Sequence, residues 1–251
     1  MTFSVRNPNA DKLALMRAAR AAGAVAPEGA IQKWIAPSEA RERDRLLFDD
    51  SGSMGSDKEH ARNGVIEFLR NSTPNQTAVA IHFLNTQNEQ LAAMNSNLIQ
   101  VADCMQKLPL GSGGTPFFKK LREAMEAKPT ATRYVVFTDG EPTDATLDPD
   151  LDWGAPDYTL AKLKANADPL ILIAKEQKAP IDSIYFGSEV SYTENARSFL
   201  KYLSDSTGGF FMVFDPAKVS FDKAFRYLAA PNRLMLASES VRKEIESGKR
   251  A

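Results

Sequence analysis

The sequence predicts a doubly wound α/β fold: a six-stranded, mostly parallel sheet with one short antiparallel edge strand and helices on both faces. Three observations carry this expectation. From residue 44 onward, short apolar runs alternate with amphipathic stretches of helical period. The run at 77–84, TAVAIHFL, is apolar nearly throughout, as a strand covered on both faces requires. Two of the runs, 45–49 and 133–138, lead directly into carboxylates, Asp49 and Asp139. In the strand order 3-2-1-4-5-6, strands 1 and 4 are neighbours where the winding reverses, and ligands collect outside their C-terminal ends. Asp49 and Asp139 are thereby expected to flank one crevice.

The elements follow in order. Residues 1–43 read as an extension with one helix over 10–22, capped by Asn9 and stopped at Gly23. A small-residue linker follows, and then an apolar patch at Ile31, Trp34 and Ile35. This arm either packs on the back of the domain or docks a partner. The domain itself is expected over 44–231. After the first strand, a helix over 57–70 turns Ala61, Val65, Phe68 and Leu69 inward. The second strand is 77–84, the edge strand is placed around 98–101, and a short helix follows over 102–108. A helix over 115–127 carries Phe117, Phe118, Leu121 and Met125, and leads to the fourth strand, 133–138. Residues 139–157 hold seven acidic side chains and no basic one, so an acidic loop insert is expected over 140–157. A helix over 157–178 is expected to break near Asp168-Pro169, because proline disfavours helix at the residue before it. Strand 181–187, helix 193–204, strand 209–214 and a last helix over 220–229 complete the domain. Residues 232–251 form a polar tail.

Composition excludes little but orders the alternatives. With 251 residues, 43% hydrophobic and 25% charged, the chain has the make-up of one globular domain with appendages. A net charge of -1 gives no reason to expect nucleic acid as a partner. No apolar run approaches the roughly 20 residues that cross a bilayer, and residues 1–9 lack the order of a signal peptide. Cys104 is the one cysteine, which fits a reducing compartment, so a cytoplasmic protein is expected.

Chemistry concentrates in Leu46-Leu47-Phe48-Asp49-Asp50-Ser51-Gly52-Ser53-Met54. The carboxylate of Asp49 is followed by two hydroxyls, with Gly52 letting the loop turn between them. Three hard oxygen donors on one loop suit Mg²⁺, which favours octahedral oxygen shells at about 2.1 Å. The segment Gly111-Ser112-Gly113-Gly114-Thr115-Pro116 adds a hydroxyl at a helix start. Asp49, Ser51, Ser53, Thr115 and Asp139 together would form an all-oxygen metal site. The alternative is a set of capping residues on ordinary loops.

This pattern resembles the metal-ion-dependent adhesion site of von Willebrand factor A domains. Asp49-x-Ser51-x-Ser53, then Thr115, then Asp139-Gly140 fill all five motif positions in order, and the resemblance covers roughly residues 44–230. Gly113-Gly114-Thr115-Pro116 and Thr138-Asp139-Gly140-Glu141-Pro142-Thr143 are most similar to bacterial A domains found beside tellurium-resistance and AAA+ ATPase systems. The resemblance implies a Rossmann-like sheet and a bound Mg²⁺, with Mn²⁺ or Ca²⁺ as substitutes. It implies hydroxyl ligation by Ser51, Ser53 and Thr115, with Asp49 and Asp139 acting through water or as acceptors behind the ligands. It further implies an open coordination position for an Asp or Glu of a protein partner, such as an AAA+ ATPase or another assembly subunit. Ligation shifts the last helix in some relatives, which corresponds here to 220–229.

Rival chemistries lack their residues. A phosphoryl-transfer enzyme of the haloacid-dehalogenase type needs a second Asp two positions after the first, where this chain has Ser51. Ser51-Gly52-Ser53-Met54-Gly55 misses the first glycine of a serine-hydrolase elbow, and the loop at 111–114 lacks the Gly-Lys-Ser/Thr ending of a P-loop. One Cys and two His disfavour structural zinc. His60 is expected on a solvated helix face and His82 as a hydrogen-bonded residue of the second strand. Asp148, Asp150 and Asp152 resemble the start of a calcium loop, but Thr159 stands where its closing Glu belongs. Trp153 and Tyr158 are candidate interface anchors on that insert. The expectation is a Mg²⁺-dependent protein-interaction module without enzymatic activity. The alternative is an assembly component whose metal only staples loops, and the phosphoryl-transfer enzyme is a third reading.

Overall fold

Side chains alternate across each central strand, and this period of two sorts the apolar residues into two cores, one per sheet face. The computed structural model describes residues 36–55, 57–72, 76–85, 90–107, 113–140, 142–144, 159–186 and 194–214. The helices expected over 10–22 and 220–229, the patch at Ile31, Trp34 and Ile35, residues 145–158 with Trp153 and Tyr158, and the 232–251 tail lie outside these residues. So do Gly111 and Ser112.

After a 3₁₀ turn at Pro37–Glu39 come β1 (Glu42–Phe48), α1 (Asp57–Asn71), β2 (Thr77–Phe83), β3 (Gln90–Asn95) and α2 (Leu98–Lys107). Next are α3 (Phe117–Glu126), β4 (Arg133–Thr138), α4 (Leu160–Gln177), β5 (Ile181–Phe186), α5 (Glu194–Thr207) and β6 (Phe211–Phe214). The sheet runs β3-β2-β1-β4-β5-β6, the expected doubly wound order. Every pair is parallel except β2 with β3. Leu46 faces Ile81 on one side and Val135 on the other, so β1 is the central strand of the switch point.

Leu46, Phe48, Val79, Ile81, Phe83, Val135 and Phe137 form one core with Val65, Phe68 and Leu69 of α1 and Val101 and Met105 of α2. Leu47, Tyr134 and Val136 form the other with Phe117 and Leu121 of α3, Leu163 and Leu170 of α4, and Phe199 and Leu203 of α5. Each such side chain contributes on the order of 1.5–3 kcal/mol when fully buried. At the N-terminal end of the sheet the core also holds charge. Arg133 donates from Nε to Asp44 Oδ1 at 3.0 Å, pairs through a second nitrogen with Asp44 Oδ2, and reaches Asp182 at 3.4 Å. Its guanidinium also lies over the Phe68 ring, 5.5 Å from the centroid. Burial alone would lower the arginine's affinity for its proton, but the carboxylates of Asp44, Asp182 and Glu42 outweigh it and hold that affinity above the ordinary value.

Two expectations fail. The edge strand is Gln90–Asn95, and the residues expected to form it, around 98–101, begin α2. Leu98, Val101, Ala102 and Met105 are all buried, and their i, i+3, i+4, i+7 spacing is helical. Asn97 Oδ1 also accepts from the Gln100 amide at 3.1 Å, a side-chain cap at the start of that helix. The second correction is α4, which runs unbroken through Pro169. Proline inside a helix costs about 3 kcal/mol. Here Ala165, whose carbonyl loses its partner, is exposed to water, while Leu163, Ala167, Leu170, Ile171 and Ala174 bury one face on the sheet. Packing outweighs the lost bond. A smaller difference is that β1 starts at Glu42, three residues before the strand expected over 45–49.

Candidate functional site

The rim of the sheet is built from the ends of β1 and β4. Past β1, the Asp49 amide donates to the Phe137 carbonyl at 2.9 Å and the Leu84 amide to the Phe48 carbonyl at 2.9 Å. The chain is thus still held between its neighbours as it reaches Asp49. There the carboxylate turns the backbone: Asp49 Oδ1 accepts from the Ser51 amide at 2.9 Å, an Asx-type turn. Its other oxygen accepts from the Thr138 hydroxyl, and that hydroxyl takes the Gly140 amide at 3.2 Å. The loop closes with the Gly55 amide on the Gly52 carbonyl at 3.2 Å, and α1 then begins.

Hydroxyls and carboxylates converge on this rim. Ser51 Oγ lies 3.0 Å from Ser53 Oγ, and Ser53 Oγ donates to Asp139 Oδ1 at 3.0 Å. Exposure rises along the chain of groups: Asp49 is fully buried, Ser51 is buried, Asp139 is half-buried and Ser53 is exposed. The third loop is tied to the first by backbone, the Gly52 amide donating to the Gly113 carbonyl at 3.1 Å. Gly113 has φ 134, a conformation that only glycine adopts without strain. Thr115 is buried two residues further on, and its carbonyl accepts the Thr143 amide at 2.8 Å. The structure therefore brings Asp49, Ser51, Ser53 and Asp139 into one hydrogen-bonded set. Thr115 sits on the adjoining turn, linked to the others through backbone.

The two carboxylates are uncomfortable as anions. Burial, and then the charge of Asp49, push Asp139 up to about 6, with the Ser53 hydrogen bond opposing. Burial also raises Asp49, against the hydrogen bonds from Ser51 and Thr138. A cation between them would relieve both effects. Among the described residues no group of three or more His, Cys, Asp or Glu side chains could hold a metal ion. An ion at this rim would therefore need the serine and threonine hydroxyls as well. Hydroxyls and carboxylates are hard oxygen donors, the set that suits Mg²⁺.

Other polar residues separate from this site. His60 is exposed on α1. His82 is buried, and Arg45 Nη1 lies 2.9 Å from its Nε2. Arginine can only donate, so Nε2 accepts and the imidazole proton sits on Nδ1. Burial, then the charges of Arg45 and Lys120, lower the His82 pKa to about 3. Sequence reasoning missed two further participants at the rim, Thr138 and Asp144. Thr138 could have been found as the hydroxyl directly before Asp139. Asp144 Oδ1 and Oδ2 accept from the Phe118 and Lys119 amides at 3.2 and 2.8 Å, a cap on α3 supplied from 25 residues away that no local motif announces.

No family model matches the chain, and no curated protein matches it. Solved structures do. The SpRpn10 VWA domain superposes with TM-score 0.53 at 16% identity over 76% of this chain and 96% of that one. The vWF domain of the type V pili tip protein Mfa5 from Porphyromonas gingivalis gives TM-score 0.54 at 13% identity over 84% and 98%. Proximal thread matrix protein 1 of the mussel byssus, solved with a zinc-occupied MIDAS motif, gives 0.53 at 14% identity over 78% of this chain and 47% of that one. At such identities the likeness is one of architecture, and with the strand order and the helices on both faces it is sufficient for one conclusion: the chain has a von Willebrand factor A-like α/β fold.

Proposed function

We propose that this chain is a non-enzymatic protein-interaction module that holds Mg²⁺ at the rim formed by Asp49, Ser51, Ser53, Thr115 and Asp139. The carrying observation is the Ser51–Ser53–Asp139 chain, two contacts of 3.0 Å, the second of which joins the loop after β1 to the loop after β4 at a position open to the surface. Ser51, Ser53 and Thr115 would supply hydroxyl ligands, while Asp49 and Asp139 balance the charge. Bound there, the cation would offer a coordination position to a carboxylate. The partner is accordingly a protein presenting Asp or Glu, with an assembly subunit such as an AAA+ ATPase as the candidate class. Charge-assisted ligation is directional, so one such contact selects a partner even where the surrounding interface is small. The lone Cys104 supports a cytoplasmic setting.

The stapling alternative has less support, because the loops are already joined by backbone. The Gly52–Gly113 and Thr143–Thr115 hydrogen bonds hold them together without an ion. A phosphoryl-transfer role is disfavoured by the burial of Asp49, whose oxygens are engaged by Ser51 and Thr138.

The test is calorimetric titration of MgCl₂ into the wild-type chain and Thr115→Ala, followed by affinity capture with each in Mg²⁺ and in EDTA. The proposal expects Mg²⁺ uptake and a partner that elutes in EDTA; in Thr115→Ala the uptake is weakened but still measurable and the capture is lost, while the fold remains. Equal capture in Mg²⁺ and EDTA would refute it. Hydrolysis of p-nitrophenyl phosphate that disappears in Asp49→Asn would favour the enzyme instead.

A further inference from the structure

The start of α3 has no cap of its own. Pro116 occupies the N-cap position without a side-chain hydrogen bond, and the first turn contains no acidic residue. The Phe117 amide is met by the Thr115 carbonyl at 2.7 Å, but the Phe118 and Lys119 amides need an acceptor at the positive end of the helix dipole. Asp144 answers that need from the loop after β4. One carboxylate oxygen takes the Phe118 amide at 3.2 Å and the other takes the Lys119 amide at 2.8 Å.

The same loop grips the turn just before α3. The Thr143 amide donates to the Thr115 carbonyl at 2.8 Å. Contact there is close enough that a Cβ placed on Gly114 would come within 3.0 Å of Thr143 Oγ1. A side chain at Gly114 would therefore require Thr143 to give way by a few tenths of an ångström. Asp139 lies on this short segment too, five positions before Asp144.

We infer that Asp144 is a positioning residue for the cation site: by capping α3 from the far loop, it locks the turn bearing Thr115 to the segment bearing Asp139. The inference rests on the Mg²⁺-dependent reading above. The role assigned to Asp144 is to cap and not to ligate, each of its oxygens accepting an α3 amide. It acts through Thr115. Outer residues that orient ligands commonly govern metal affinity by about 10–100-fold.

The experiment is a double-mutant cycle read by calorimetric titration of MgCl₂, with amide hydrogen exchange as a second readout. Asp144→Ala is expected to weaken Mg²⁺ binding about tenfold and to speed exchange at Phe118 and Lys119. Asp144→Asn, which keeps one acceptor oxygen, is expected to restore most of the affinity. Asp144→Ala combined with Thr115→Ala is expected to bind no more weakly than Thr115→Ala alone, because the two residues act as one unit. Wild-type affinity in Asp144→Ala overturns the inference, and so do additive losses in the double variant. A wild-type chain that takes up no Mg²⁺ overturns the metal-dependent reading itself and this inference with it. The wild-type titration tells that failure apart from a failure of Asp144 alone.

Discussion

The Ser53 hydroxyl donates to the Asp139 carboxylate across 3.0 Å, joining residues 86 positions apart. Ser53 is exposed, so replacing it should leave the fold nearly unchanged, within about 0.5 kcal/mol. Its effect should appear in the response to metal. At a concentration a hundredfold above the dissociation constant, Mg²⁺ should stabilise the wild-type chain by about 2.7 kcal/mol. EDTA should abolish that gain, and Ser53→Ala should show less of it at equal Mg²⁺. Thermal melts of both proteins with and without Mg²⁺ check this directly.

His82 makes the domain acid-sensitive. Its folded pKa of about 3 lies below the ordinary 6.5, so between these values the unfolded chain binds a proton that the folded chain refuses. Stability therefore rises with pH across that window and is lost on acidification, by at most about 1.4 kcal/mol per pH unit from this group. Arg45 and Lys120 are the charges that bear on the ring. His82→Gln retains an acceptor for Arg45 and removes the titration. Urea midpoints measured from pH 7 to pH 4 should fall less steeply in the variant.

The buried pairing of Arg133 with Asp44 and Asp182 sits at the opposite end of the strands from the rim. Arg133→Met removes the cation and leaves carboxylates in the core, which should cost about 3–5 kcal/mol. Chemical denaturation would report the loss. Mg²⁺ affinity of the folded fraction should stay at the wild-type value, separating stability from site chemistry.

Pro169 interrupts the backbone ladder of α4 on its exposed side. Pro169→Ala restores an amide donor to the Ala165 carbonyl and should stabilise the domain by about 1–3 kcal/mol, less whatever entropy the unfolded chain regains. A rise in melting temperature with unchanged Mg²⁺ binding is the expected result.

Sequence patterning revealed the strand order because apolar runs and helical stretches alternated cleanly around Asp49 and Asp139. It misplaced the edge strand because Leu98 and Val101 are apolar and close together, which short runs share between strand and helix. Only the buried Ala102 and Met105 further along settle the period. The break expected at Pro169 followed local propensity, which the packing of Leu170 and Ile171 overrides. At the rim, residues within one loop could be seen from spacing. The topology also placed Asp49 beside Asp139, and Thr138 was legible as the hydroxyl before Asp139, but the Asp144 cap was not, since no local motif ties residue 144 to the start of α3.

The pairing of β1 with β4 has a consequence for synthesis. Thr138 and Asp49 are 89 residues apart, so the first loop leaves the ribosome well before the strand that completes its surroundings exists. A nascent or truncated polypeptide ending before β4 carries Asp49, Ser51, Ser53 and Thr115 but lacks Thr138 and Asp139, which engage the Asp49 carboxylate and the Ser53 hydroxyl. On the proposed reading, the complete set of rim groups exists only once synthesis has passed β4.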